Sequence, residues 1–135
     1  MEMSVELVQK MISRAVEQAS CEFKRPISVA ICDNHGLLVS FMRMPGATLR
    51  SIPISQAKAY TAAYMLMSTE AFAARLLREN VPASFFCDER LTGLAGGVVL
   101  KNAAGEVVGA VGVSGLAPHE DQAIANAISE LSQKG

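Results

Sequence analysis

The chain has 135 residues, a length that suits one domain and gives enough interior to fold without a metal or disulfide. Half of the residues are apolar, 19% are charged and the net charge is −1, which argues against disorder and against a basic nucleic-acid surface. With no Trp, two Tyr and five Phe there is no stacking platform for bases, and the longest apolar runs fall far short of a membrane span.

Ser4 is placed to cap a first helix. Val5, Val8, Met11, Ile12, Ala15, Val16 and Ala19 recur at helical spacing, and Pro26 sets the end near Glu22. Met1 to Lys10 is polar and lacks the apolar centre of a signal peptide, so a cytoplasmic protein is expected. Cys21, Cys32 and Cys87 are odd in number and carry no CxxC spacing; they read as small buried side chains in a reducing compartment.

Ile27–Cys32 and Leu37–Met42 are short β-rich runs on either side of Asp33-Asn34-His35-Gly36, which predicts a hairpin. A loop from Arg43 to Ser51 follows. The next helix is expected from about Pro53 to Leu66, capped by Ser51, with Ala57, Ala59, Ala62 and Ala63 allowing close packing. Ser68-Thr69-Glu70 opens a shorter helix through Leu77, ahead of Pro82. Phe85, Phe86 and Leu91 read as buried parts of a connection.

After Gly96-Gly97 a strand is expected over Val98–Lys101, then a turn at Asn102–Gly105, then the longest strand, Glu106–Ser114. That strand is apolar on both sides and reads as central. Gly109, Gly112 and Gly115 interrupt it, which marks close approach of another backbone or of a ligand. The last helix starts near Pro118 with Glu120 and Asp121 in its first turn, and its buried stripe is Ala123, Ile124, Ala127, Ile128 and Leu131. This order predicts an α+β fold in a single domain over 1–135. An antiparallel sheet of about five strands would be covered by helices on both faces.

The charges that suggest chemistry are Arg43, ending a strand, and Lys58, in an Ala-rich helix with few other charges. Together they would receive an anion; the alternative is that each pairs with Asp33 or Asp121. Ser114, Gly115 and the start of the last helix offer a backbone cradle for the same anion, with Gly96 and Gly97 leaving room. Helix-on-sheet packing is the other use for the glycines. Proton transfer has only His119, Lys58 and Asp121 as weak catalytic candidates, so enzymatic activity is left open. His35 reads as a solvated turn residue. No metal-ligand spacing, P-loop, HExxH or GxSxG is present. The apolar excess in so small a domain predicts a homo-oligomer.

Three stretches carry a resemblance. They are Ile27–Asp33 through Phe41-Met42-Arg43-Met44; Ile54-Ser55-Gln56-Ala57-Lys58-Ala59 with Thr61-Ala62-Ala63; and Gly96-Gly97 with Gly105 through Val108-Gly109-Ala110-Val111-Gly112-Val113-Ser114-Gly115 and Asp121 beyond. The chain resembles the GlcG/HbpS-type haem-degrading domains, a family that includes the C-terminal domain of PduO-type proteins. The resemblance implies a profilin-like three-layer α/β/α fold with a five-stranded antiparallel sheet, and homo-oligomers. It implies haem as a cofactor, held by a first-helix His where this chain has Gln9, Met11 and Gln18, or a place in glycolate or diol and glycerol metabolism. After Arg43-Met44 this chain has Pro45 where the family continues with Asp. The expected function is a cytoplasmic homo-oligomer binding a small anionic ligand, either haem or a short metabolite. The alternatives are an enzyme acting on haem, a hydroxy acid or a carbonyl, and a structural or assembly subunit.

Overall fold

The computed structural model describes residues 3–134; Met1, Glu2 and Gly135, which belong to the expected single domain over 1–135, lie outside the described residues. Helix α1 spans Val5–Gln18, with the Ser4 hydroxyl accepting from the Leu7 amide at 3.1 Å as a cap. A wider π turn over Ala19–Phe23 continues it, and Lys24 ends it in a left-handed conformation, φ 54°. Strands β1 (Ser28–Asp33) and β2 (Leu38–Arg43) form the first hairpin. Helices α2 (Ser51–Met65) and α3 (Thr69–Glu79) follow, then β3 (Gly97–Lys101), β4 (Val107–Ser114) and α4 (Pro118–Lys134).

The sheet runs β2-β1-β4-β3 and every neighbouring pair is antiparallel. β4 is central, as its two-sided apolar pattern predicts. The expected fifth strand is absent: among the described residues the sheet has four. The stretch between α3 and β3 satisfies its backbone locally instead. A 3-10 turn covers Ala83–Phe86, the Phe85 amide donates to Pro82 O, that of Cys87 to Ser84 O and that of Leu91 to Asp88 O. These turns keep the segment from running extended beside the sheet, and its later amides go to side chains, that of Thr92 to Thr61 Oγ1 at 3.0 Å and that of Gly96 to Gln122 Oε1 at 2.7 Å.

Alternation along the strands separates two packed layers. Val29, Ile31, Val111 and Val113 face α1 and α4, meeting Met11, Ala15, Ile124 and Ile128, all fully buried. Ala30, Cys32 and Ala110 face α2, meeting Ala59, Ala62 and Ala63. The second layer is thin because its side chains are small. A Cβ on Gly112 would strike the Ser55 carbonyl oxygen, and one on Gly97 the Lys58 carbonyl oxygen, so α2 lies backbone-close on β3 and β4.

Several local expectations change. Ser51 is the first residue of α2 rather than its cap; its hydroxyl donates to Thr48 O at 2.6 Å and accepts from the Ser28 hydroxyl at 2.8 Å, while Arg50 stands at the cap position. Phe85 is exposed because the tight turn aims it outward, and Cys21 and Cys87 are exposed while Cys32 alone of the three is buried. Ala123 falls on the solvent side of α4, where Ala125 is buried. No helix among the described residues is long and apolar enough to cross a membrane.

Candidate functional site

α2 and α4 cover opposite faces of the sheet, yet one ion pair joins them. The Lys58 ammonium donates to Asp121 Oδ2 at 2.9 Å and to the Val113 carbonyl at 2.8 Å. Both side chains are 3% exposed. Burial pulls the Lys58 ammonium below its ordinary value and pushes the Asp121 carboxyl above its own, each opposed by the attraction between the two. The route past the end of β4 exists because Gly96 has no side chain: a Cβ there would lie 2.7 Å from Lys58 Nζ. Asp121 Oδ1 also accepts from the Leu116 amide at 3.0 Å, and Glu120 accepts from the Ala117 amide at 3.0 Å. Two backbone donors at the start of α4 are thus satisfied by that helix's own carboxylates.

Above the pair lies a cleft of about 150 Å³, lined by Thr48, Arg50, Ile54, Lys58, Leu94, Ser114, Gly115, Leu116, Pro118 and Asp121. Of the residues singled out in the sequence, Lys58, Asp121, Ser114 and Gly115 come together here. Gly96 and Gly97 lie behind Lys58, where they give room to α2 rather than lining the cleft. Arg43 is not in this group. It ends the edge strand β2, exposed, and donates to the Ala47 carbonyl at 3.2 Å. His119 is exposed in the first turn of α4 and His35 in the β1–β2 turn.

The cation that sequence reasoning passes over is Arg50. Its side chain is exposed, lines the cleft and makes no hydrogen bond or ion pair among the described residues. The signal was available in Arg50-Ser51-Ile52-Pro53. Pro is favoured in the first turn of a helix, and starting that helix at Ser51 puts the arginine at its mouth.

A second constellation also lies outside the sequence reading. Tyr60 on α2 donates its hydroxyl to Asp88 and receives a hydrogen bond from Arg90 at 2.5 Å. The Arg90 guanidinium stacks over the Tyr60 ring at 4.0 Å. These bonds to Tyr60 and Arg90 hold the Asp88 carboxyl down at about 2, and Tyr60 is raised, first by desolvation and then by Asp88. Among the described residues no group of three or more His, Cys, Asp or Glu could hold a metal.

No curated protein matches the chain. Solved structures do. The PduOC:haem complex superposes with a TM-score of 0.86 at 25% identity, covering 97% of this chain and 95% of that one. A double mutant of Streptomyces reticuli HbpS gives 0.86 at 27% identity, covering 97% and 87%. Klebsiella pneumoniae ORFY shares the fold at 0.84 and 24% identity, covering 96% and 89%. The model of the haem degrading protein HbpS-like family matches residues 3–130, nearly the whole chain, and the protein belongs to that family.

Proposed function

We propose that this chain is a homo-oligomeric binding protein that takes a short carboxylate-bearing metabolite, the size of a small hydroxy acid, in the Arg50 cleft. Charge balance carries this reading. Lys58 and Asp121 cancel one another, which leaves the unpartnered Arg50 guanidinium to set the sign of the cleft. Arginine's planar fork suits a carboxylate, and the Thr48 and Ser114 hydroxyls lie in the same lining. A volume of 150 Å³ equals about five waters of liquid, which suits a ligand of a few heavy atoms.

Haem is the group that the family name and the PduOC:haem complex bring forward. The Arg50 cleft does not fit it, being smaller than the roughly 300 Å³ at which pockets for drug-sized ligands begin. Nor does either histidine line that cleft. His35 and His119 stand exposed and Met11 is fully buried in the core. The Cys32 thiol, pushed up to about 12 by burial, stays protonated and is a poor ligand.

Titration calorimetry with glycolate tests the reading. Wild type is expected to bind it, and Arg50→Ala to lose about tenfold or more, the value of one charge-assisted contact. Equal affinity in the variant overturns the proposal. So does a stoichiometric Soret shift with hemin in a protein that ignores glycolate.

A further inference from the structure

A roomier recess than the Arg50 cleft lies elsewhere. A cavity of about 480 Å³ lies between the β1–β2 turn, one face of α2 and the loop entering β3. Its α2 face is Pro53, Gln56, Ala57 and Tyr60, the spacing of one helical stripe. We propose that this cavity is a second binding site, taking a planar ring ligand that carries an amidine-type N–H edge.

The floor asks for an apolar body. Cys32, Ala57, Ala59 and Leu91 supply small or aliphatic walls, and the Cys32 thiol turns inward to donate to Ala59 O at 3.5 Å. Gly36 sits against the Tyr60 ring, where a Cβ would come within 2.8 Å, so the turn closes directly on the aromatic wall. That wall is fixed before any ligand arrives. The Tyr60 hydroxyl is taken by Asp88 and Arg90 and the Arg90 guanidinium covers one ring face, so Tyr60 offers the cavity only the part of its ring left uncovered. Tyr64 stacks behind it at 5.7 Å. A preformed apolar recess of this volume with a few polar groups is the usual form of a small-molecule site.

The polar groups decide the edge. Asp88 and Arg90 neutralise one another. Glu89 lines the cavity and makes no hydrogen bond or ion pair among the described residues; Arg90, the other charge of the lining, is balanced by Asp88 just outside it, so lining and Asp88 together carry one net negative charge. Gln56 commits its amide N–H weakly to Ile52 O at 3.4 Å and keeps its carbonyl oxygen. Two uncommitted acceptors, one ionised, call for N–H donors in a plane. An amidine or guanidine-like edge gives a carboxylate two parallel hydrogen bonds. The same charge balance works against an aromatic acid.

This cavity and the Arg50 cleft share no residue, so either site stands or falls without the other. Benzamidine, benzamide and benzoate are probes of one shape and three charges. Their binding is read by NMR from the ring protons of Tyr60 and Tyr64, the chain's two tyrosines. Saturable shifts are expected with benzamidine, weaker binding with benzamide and none with benzoate. Glu89→Gln, an exposed change that spares the fold, should weaken benzamidine about tenfold, as loss of a charge-assisted pair requires. Ala57→Leu, with native circular dichroism, should abolish binding by filling the recess, while Arg50→Ala should leave it intact. The proposal is overturned by unsaturable benzamidine shifts, by benzoate binding as tightly as benzamidine, or by an unchanged affinity in Glu89→Gln. Full binding in a folded Ala57→Leu variant also overturns it.

Discussion

An ammonium and a carboxylate, both shut away from water, meet at 2.9 Å between α2 and α4. Desolvation dominates the titration of both groups, so much of their attraction is spent on offsetting burial. The pair therefore adds little over well-packed apolar side chains, but neither member tolerates loss of the other. Lys58→Met should cost about 3–5 kcal/mol in urea unfolding, because it strands the Asp121 carboxylate. Lys58→Met with Asp121→Leu should recover most of that. A double variant as unstable as the two single losses summed would show that the partners act separately. The pairing is one of those the sequence allows, since Asp121 is named there beside Asp33 as a partner for Lys58 or Arg43. At a separation of 63 positions in the sequence, only the chain's path past the end of β4 selects it. Arg43 has no such path and turns to the nearby Ala47 carbonyl.

At the scale of elements, glycine is where the sequence is ambiguous and the packing is not. Gly109, Gly112 and Gly115 suit close backbone approach and a ligand cradle equally well when only spacing is known. The α2 backbone answers the question at Gly112. A side chain there meets the Ser55 carbonyl and the Ala59 amide, neither of which yields without moving the helix. Gly105 is the contrast, with φ 84° and open space around it, so only its backbone conformation matters. Gly112→Ala should cost about 3 kcal/mol, the upper range for overpacking a close-packed interior. Gly105→Ala should cost about 1–2 kcal/mol, the strain of a left-handed alanine. Thermal melts that rank the two in the opposite order would remove the backbone-contact account of α2. The missing fifth strand belongs to this scale too. Local turn bonds around Pro82 and Asp88 compete with a ladder, and hydrophobic pattern does not weigh that competition.

For the whole molecule, element order and the two turns were legible: helix, hairpin, helices, hairpin, helix leads to one antiparallel sheet covered on both faces. The candidate site was legible only in part: Arg50 is placed by the helix start that Pro53 signals, whereas Tyr60, Asp88 and Arg90 acquire meaning only from neighbours far along the chain. The proposed self-association has a location in the same architecture. β2 is an edge strand, and around it Leu37, Leu38, Val39 and Met42 are 64%, 54%, 48% and 44% exposed. Between Leu38 and Met42 it carries neither Pro nor Lys, the usual guards of a free edge. A second copy running antiparallel about a two-fold axis would pair these backbones and cover the same apolar residues. It would set Arg43 of each strand near Leu38 of the other and keep the like charges apart. Val39→Lys adds two ammoniums near the centre of that pairing and should convert dimer to monomer in light scattering, leaving the melting of the monomer fold intact. A wild-type chain that scatters as a monomer, or a Val39→Lys variant that stays associated, would place the contact on another face or remove it.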